Sequence, residues 1–445
     1  MHSVCTTRPV SRQICRSLRA KVSLVGLTLM VVSWAHATEA PLTLAEAQRR
    51  ALAYSHQLPA KDNAATASRE SAIAAGQLPD PVLKLGLDNL PVTGPDRFNI
   101  NNDFMTMRRV GVMQEVTRAD KRQLRAKSLN QVADKTMAEK DVATAAIERE
   151  TALAWFDLYY IKAMSAVIAE QGAQSKLEIQ AADGAYRAGR GSQADLFAAR
   201  SALASFEDRD SEFKRRVLNA QTMLARWIGL GAELPLAEKP DMEFIRLDPA
   251  TLDMQLAHHP EIAVLSKRVD IAETEAKLAL ANKKSDWTVE VAYQQRGPAY
   301  SNMLSVGVSI PFQLDQKSRQ DRQVSSKLAM IDEAKSEREE MLREHVAQTR
   351  VMINEWNNDR ERVARYERDL VPLAAQRTLA GITAYSGGKA TLAEVLAARR
   401  NEIDVRLQAL QLQADTARVW AQLNFLFPTN VTAAHAGMNS DKEAK

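Results

Sequence analysis

Two long stretches of the chain, residues 118–184 and 314–384, carry apolar side chains at helical spacing among strong helix formers such as Ala, Leu, Glu, Lys and Arg. At 1.5 Å per residue, each stretch predicts a helix of about 100 Å, several times longer than is usual in a globular domain. Helices of this length indicate coiled-coil packing. Gly172 and Pro372 fall at corresponding places in the two stretches, so we expect a weak point there in both helices.

Shorter helical segments flank each long stretch. The pattern predicts them at residues 58–79 and 192–228 in the first half and at residues 259–285 and 391–426 in the second. Two short helices placed end to end nearly match one long helix in length. The sequence therefore predicts a layered antiparallel bundle, in which each short pair is stacked beside a long helix.

The two halves also repeat one another in sequence. "YRAGRGSQADLFAAR" begins at Tyr186 and "YSGGKATLAEVLAAR" begins at Tyr385, and each contains a glycine-broken turn between a long helix and a shorter one. Glycine and prolines cluster between the halves. We infer an internal duplication with a first repeat at residues 38–230, a linker at 231–250 and a second repeat at 251–428.

Four runs alternate apolar and polar residues with a period of two, as β-strands with one apolar face do. They lie at residues 82–90 and 104–115 in the first repeat and at residues 287–295 and 303–312 in the second. Alternation alone favours a half-buried sheet in a soluble domain, but it is also the signature of membrane-spanning strands. Open edges cannot lie in lipid and four strands cannot close a membrane barrel, so the membrane interpretation requires three copies of the chain and twelve strands.

Residues 1–37 have the three parts of an export signal. Basic residues precede a short apolar core at residues 22–34, and Ala35-His36-Ala37 matches a cleavage site. The alternative is a membrane anchor, for which the apolar core is short. We expect a mature chain that begins at Thr38 and ends in a flexible C-terminal tail at residues 429–445.

Cleavage would change the composition of the mature chain. Cys5 and Cys15 are the only cysteines, so the mature chain would have no disulfide and no cysteine for a lipid anchor. Five basic residues and no acidic residue would be lost, which takes the formal charge from +4 to −1. The basicity of the full chain is therefore no sign of nucleic-acid binding.

The sequence contains no recognisable catalytic constellation, and we expect neither enzyme activity nor a cofactor. "YSGGKAT" lacks the first glycine of a phosphate-binding loop and has Ala390 after the lysine. His258-His259 could bind a metal, but adjacent histidines near a helix start are more often solvated or packed. Glu344-His345 stands alone in the sequence.

The export signal, the duplication, the paired strands, the long helices and the two Tyr-x-x-Gly turns together resemble the TolC family of trimeric outer-membrane efflux channels. The resemblance runs from "LTLAEAQRRAL" to "ARVWAQLNFL". It implies an α+β membrane protein: a trimeric 12-stranded β-barrel with four strands per chain, continued by a long periplasmic α-helical coiled-coil barrel. It also implies an outer-membrane location with a large periplasmic portion.

The same resemblance implies partners. Three chains would form a homotrimer that contacts outer-membrane lipid, a periplasmic adaptor and an inner-membrane pump of the resistance-nodulation-division class. "GQLPDPVLKLGLDNLPVTGPD" and "MTMRRVGVMQEV" resemble the heavy-metal (cobalt-zinc-cadmium/copper) resistance branch, which implies a passive exit duct for metal ions. The alternatives are a channel for drugs or other organic solutes and a periplasmic coiled-coil structural protein; an exported enzyme is a more distant one.

In such channels the two helical hairpin tips face the adaptor, and we assign six residues of the two turns to that surface: Tyr186, Gly189, Ser192, Tyr385, Gly388 and Thr391. Glycines 189, 191, 387 and 388 permit a backbone with positive φ. The apolar residues Leu392, Val395 and Leu396 of the second tip fit either an adaptor contact or ordinary coiled-coil core.

Both turns also have the spacing of a helix capping box. Ser192 and Thr391 are placed to cap the returning helices, with Asp195 and Glu394 three residues later. In some family members acidic rings narrow the end of the tunnel. Glu394 matches one such acidic position, whereas Ala397 occupies the place of a second, so the resemblance implies a gate formed by Glu394 with Asp195.

Methionines mark the second strand of the first repeat. Since Val110 and Val112 match the apolar face of the fourth strand, a period of two turns Met105, Met107 and Met113 toward the other face, which lines the lumen of a barrel. Thioethers suit soft ions such as Cu(I), and three chains would supply a ring. We expect transient metal contact at most, and the alternative is that these methionines only fill space.

Overall fold

A computed structural model of the chain describes residues 40–189 and 191–429. The predicted export signal, its cleavage site and the tail beyond residue 429 lie outside the described residues. The helices of the described part are α1 (Leu44–Tyr54), α2 (Gln57–Ala75), α3 (Ala119–Arg187), α4 (Gln193–Ile228), α5 (Leu252–Leu256), α6 (Pro260–Ala281), α7 (Gln320–Arg365), α8 (Val371–Ser386) and α9 (Leu392–Asn424).

The first long helix is longer and more regular than the sequence indicates. α3 runs for 69 residues through Gly172 without interruption, so the weak point predicted there is wrong. A single glycine leaves the helical hydrogen bonds intact, and neighbouring helices support the backbone around it. An 18-residue stretch of α3 is apolar enough to cross a membrane by length and composition, but half of that stretch is buried inside the protein.

The second long helix does carry an irregularity. A π-helical turn, Tyr366–Leu370, separates α7 from α8, and Pro372 lies in the first turn of α8. Proline has no N–H to donate, and its ring clashes with the carbonyl oxygen four residues earlier. An inserted π turn moves that carbonyl away while the helix continues.

The short helices pack beside the long ones in the predicted layered arrangement. α2 and α4 both lie along α3, and α6 lies along α7 and α3. Lys61 of α2 pairs with Glu139 of α3 at 2.5 Å, and Lys140 pairs with Asp62 at 2.7 Å. Because α4 meets α3 near its far end, the two short helices follow one another along its length.

The main hydrophobic core surrounds the middle of α3. Trp155 and Phe156 are fully buried there, and Phe156 meets Trp420 of α9 edge to face at 5.9 Å. The indole N–H of Trp155 donates to the carbonyl of Leu42 at 3.1 Å. Leu42 in turn forms a parallel bridge with Leu236 of the linker. The N-terminal segment, the linker and both repeats are thus joined at this level, which we name the central core.

The strands β1 (Val82–Asp88), β2 (Met107–Val116), β3 (Trp287–Gln295) and β4 (Met303–Ser309) form one antiparallel sheet in chain order. The fold-class prediction of four antiparallel strands joined to a long helical bundle is confirmed. β1 stops before Asn89, whose φ is +57°. β2 starts late because the Asp103 carboxylate accepts the N–H groups of Met105 and Thr106, both at 2.9 Å, and holds them in a loop.

Candidate functional site

One face of the sheet is apolar and exposed. Leu85, Val110, Tyr293 and Leu304 lie opposite one another in a row across all four strands, and a second row contains Leu83, Val112, Val291 and Val306. Leu85 is 71% exposed and Leu304 is 69% exposed. An apolar surface of this extent marks contact with a membrane or with another protein.

The opposite face is polar and carries a charge network. Glu290 of β3 pairs with Lys84 of β1 at 2.7 Å and with Arg109 of β2. Arg109 also lies 3.7 Å from Asp88. Two cations and two carboxylates therefore balance one another across three strands, which keeps this face polar without a large net charge.

A glycine allows the strands to approach closely beneath this network. Gly111 lies opposite Ala292 on β3, and a Cβ added at Gly111 would lie 2.9 Å from the Ala292 Cβ. Ala292 is only 1% exposed. A larger residue at position 111 would force the middle strands β2 and β3 apart.

The methionines are divided between strand and loop. Met107 and Met113 lie on the same face as Arg109, opposite to Val110 and Val112, as the period of two predicts. Met105 precedes β2, so the alternation argument does not apply to it. Its placement on the polar face was inferred from a strand that begins too early.

Each of the two helical tips reverses direction at one glycine with positive φ. Gly189 has φ +72° and Gly388 has φ +70°. Each donates its N–H to the carbonyl of the tyrosine three residues before it, at 3.0 Å. Gly387, which could also adopt a positive φ, has φ −83°.

Both predicted capping boxes are present. Ser192 caps α4 and Thr391 caps α9, and each side chain accepts the N–H of the acidic residue three positions later. In return, the Asp195 carboxylate accepts the Ser192 N–H at 2.9 Å, and Glu394 accepts the Thr391 N–H at 2.8 Å. The hydrogen bonds from Ser192 hold the pKa of Asp195 below its ordinary value.

The apolar stripe of the second tip is mainly core. Leu392 and Val395 are 4% and 3% exposed, and Leu392 packs with Ala182 of α3 and Leu196 of α4. We name the buried cluster of Ala182, Leu196, Ala199 and Leu392 the tip core. It joins the two hairpins, so Leu392 and Val395 are not free to contact another protein.

Other predicted tip residues remain at the surface. Tyr186 is 46% exposed, whereas Tyr385 is partly buried against the tip core. Glu394 is exposed and Asp195 is half-buried. An ion pair between Arg399 of α9 and Glu178 of α3, at 3.1 Å and largely shielded, fixes the second tip against the first long helix.

A cluster of three potential metal ligands combines two histidines that the sequence analysis considered separately with Glu261, which it did not consider. His259 and Glu261 at the start of α6 lie beside His345 of α7, and one ligand atom from each lies within 4.8 Å of the others. The sequence signals were the His-x-Glu spacing and the separate Glu-His pair. Their proximity was not apparent because Glu261 and His345 are separated by 84 residues in the sequence.

No protein-family model matches the chain, and no curated protein matches it in sequence. Solved structures do share its fold. CusC, in crystal structures described in terms of folding and transmembrane channel formation, has a TM-score of 0.73 at 13% identity over 86% of this chain and 92% of that one. The outer-membrane channel OprN gives 0.71 at 15%, over 86% and 89%. The outer-membrane protein VceC of Vibrio cholerae gives 0.70 at 18%, over 86% and 95%.

Proposed function

We propose that the protein is a member of the TolC family and the outer-membrane channel of a tripartite efflux system. The sheet carries this proposal. One face is apolar and exposed, the other holds a charge network, and β1 and β4 have a free edge in the described part of the chain. Three sheets joined edge to edge would close a twelve-stranded barrel with its apolar face toward lipid.

The helical part fits the remainder of such a channel. α3 follows β2 after two residues and would extend about 100 Å from the barrel at 1.5 Å per residue. The tips lie at the far end of α3, where a periplasmic adaptor and an inner-membrane pump would meet them. The outer-membrane channel OprN and the outer-membrane protein VceC share this fold, which supports the proposed location.

Heavy-metal cations are the substrate class that we propose. The support is the resemblance of the segments around β1 and β2 to the heavy-metal branch. The polar face holds charges of both signs, so the barrel itself favours no single class of solute. The alternative is a drug channel, and a deletion strain complemented with this gene would separate the two by its tolerance to metals and to organic drugs.

Closure of the barrel can be tested with cysteine pairs. The two native cysteines precede the predicted cleavage site, so engineered cysteines would report without background. We expect pairs that combine Leu85→Cys of β1 with a cysteine at Leu304, Val306 or Val308 of β4 to give covalent trimers in non-reducing gels. The matched control is Leu85→Cys with Val110→Cys, whose positions lie opposite one another within one chain and should give only monomers.

The same samples separate the channel from a periplasmic scaffold. A channel requires detergent for extraction from the outer membrane and conducts ions in planar bilayers. Recovery in the osmotic-shock fraction, with monomers from every edge pair, would identify a soluble coiled-coil protein instead.

A further inference from the structure

We propose that His259, Glu261 and His345 bind a divalent transition-metal ion beside the central core. Their ligand atoms lie within 4.8 Å of one another. Two imidazoles and one carboxylate form a ligand set suited to Zn²⁺ and to neighbouring ions such as Co²⁺ or Ni²⁺. The site is independent of the polar face of the sheet and of the tips.

The backbone places two of the ligands. His259 caps the N-terminus of α6, and Pro260 follows at the first helical position. Glu261 in the first turn then lies within reach of His345 on α7, with 2.8 Å between its Oε2 and the His345 Nε2. The two imidazole rings are 4.5 Å apart between centroids and tilted by 39°.

His259 has the properties of a metal ligand. The residue is only 5% exposed, and its ring packs against the rings of His345 and Phe427, so its orientation is fixed before an ion binds.

One nitrogen of His259 faces the start of α6. Its Nδ1 accepts a long hydrogen bond of 3.3 Å from the Glu261 N–H, which is the side-chain cap of the helix. A metal ion bound at Nδ1 would replace this weak hydrogen bond.

Binding would require only small movements. Zn–ligand distances of about 2.0–2.1 Å place tetrahedral ligand atoms about 3.3 Å apart, so the side chains would move by roughly 1 Å. The Glu261 side chain is 46% exposed and free to adjust, and it leaves a fourth position open to water. The positive charge of Arg149 disfavours a cation beside His259, and the negative charge of Glu261 offsets this repulsion.

A metal ion here would crosslink separate parts of the fold. It would link the start of α6 to α7 and, through His259, to the chain after α9, where Phe427 packs edge-on against the His259 ring at 5.5 Å. The expected consequence is greater thermal stability of the folded protein, because an ion that binds only the folded state stabilises it by mass action.

The test uses purified full-length protein in detergent after treatment with a chelator. We expect saturable Zn²⁺ binding at one ion per chain by calorimetry, a Co²⁺ absorption spectrum of a nitrogen–oxygen site, and a higher melting temperature with Zn²⁺. Glu261→Gln and His345→Gln should each weaken binding by at least about tenfold and remove the thermal gain. His258→Gln and Glu344→Gln are matched controls, since each alters an exposed neighbour of a ligand and should bind as wild type.

Each outcome decides the proposal. Absence of saturable Zn²⁺ and Co²⁺ binding by the wild-type protein would overturn it, as would equal binding in the two ligand variants. A loss in the control variants as large as in the ligand variants would also overturn it. Glu261 is partly exposed, so Glu261→Gln provides a folded comparison if His345→Gln does not fold. None of these measurements involves transport, so they test the metal site independently of the proposed channel function.

Discussion

Adjacent glycines at the second tip adopt different backbone conformations, with φ −83° at Gly387 and +70° at Gly388. The sequence predicts the turn from this pair but not which glycine enters the left-handed region. That choice depends on where the hydrogen bonds of α8 end, since the Gly388 N–H bonds the Tyr385 carbonyl. The capping boxes, by contrast, follow directly from residue spacing because every atom involved lies within four residues.

Replacing each of these two glycines with alanine should therefore give different results. Gly388→Ala should cost about 1–2 kcal/mol, because a Cβ is strained at positive φ, and it should reduce crosslinking of the tip to the proposed periplasmic adaptor. Gly387→Ala is the matched control, since its Cβ would meet only carbonyl oxygens at 3.6 Å. Thermal unfolding of the detergent-solubilised protein measures the difference, and equal losses in both variants would contradict it.

Glutamine at position 394 separates the charge of Glu394 from its capping role. Glutamine serves at the third position of a capping box, so Glu394→Gln should keep the bond to the Thr391 N–H and the melting temperature. If Glu394 contributes to a gate, the loss of its charge should change single-channel conductance or cation selectivity. Glu394→Ala should in addition cost about 1 kcal/mol through the lost cap. Wild-type conductance in Glu394→Gln would show that Glu394 serves only to cap the helix.

At the level of elements, periodicity predicts the helices and the four strands well. It does not predict where the strands begin and end or where a long helix becomes irregular. β2 begins three residues later than its pattern because Asp103 holds a loop, an interaction between one side chain and the backbone. Proline predicts a defect in the second long helix, and the π turn accommodates it. Gly172 wrongly predicts a defect in the first long helix, because packing along α3 keeps that helix regular.

A shielded ion pair lies at the junction between the sheet and the helices. Asp286, just before β3, bonds the Lys121 Nζ at 2.8 Å and the Arg118 N–H at 2.9 Å, and the Lys121 side chain is only 4% exposed. Asp286→Asn would leave that lysine buried without a counter-charge and should cost about 3 kcal/mol. Asp321→Asn is the control, because its pair with Lys283 is exposed and should contribute less than about 1 kcal/mol.

The effect of Asp286→Asn should also depend on pH. Burial raises the pKa of Asp286, but the bonds from Lys121 and Arg118 more than offset it, so the pKa lies below its ordinary value of 3.8. A lowered pKa contributes stability that is present above the ordinary value and lost as pH falls through the folded value. The difference in melting temperature between wild type and Asp286→Asn should therefore be full at neutral pH and shrink below about pH 3.8. A difference that stays constant into acid would show that the charge of Asp286 is not its cause.

At the level of the whole molecule, periodicity alone does not predict two features. The first is the association of chains, which gives the polar face and the free edges of the sheet their proposed roles. The sequence predicts this association only through the requirement that a membrane barrel be closed. The His259, Glu261 and His345 cluster arises because α6 packs against α7, and no local pattern encodes this contact. Interactions between residues close in sequence can thus be predicted from the sequence, whereas sites assembled by helix packing cannot.

The methionines of β2 can act only as a ring contributed by several chains. Met107 and Met113 lie on the polar face, which becomes the lumen of the proposed twelve-stranded barrel. Thioethers prefer soft ions such as Cu(I), and in a wide lumen they would touch a passing ion rather than hold it. We expect Met107→Leu with Met113→Leu to reduce the tolerance of cells to copper or silver while leaving tolerance to zinc or cobalt unchanged. Met330→Leu, an exposed methionine on α7, is the control. Equal tolerance to every metal, at normal levels of assembled protein, would leave the two methionines as barrel packing alone.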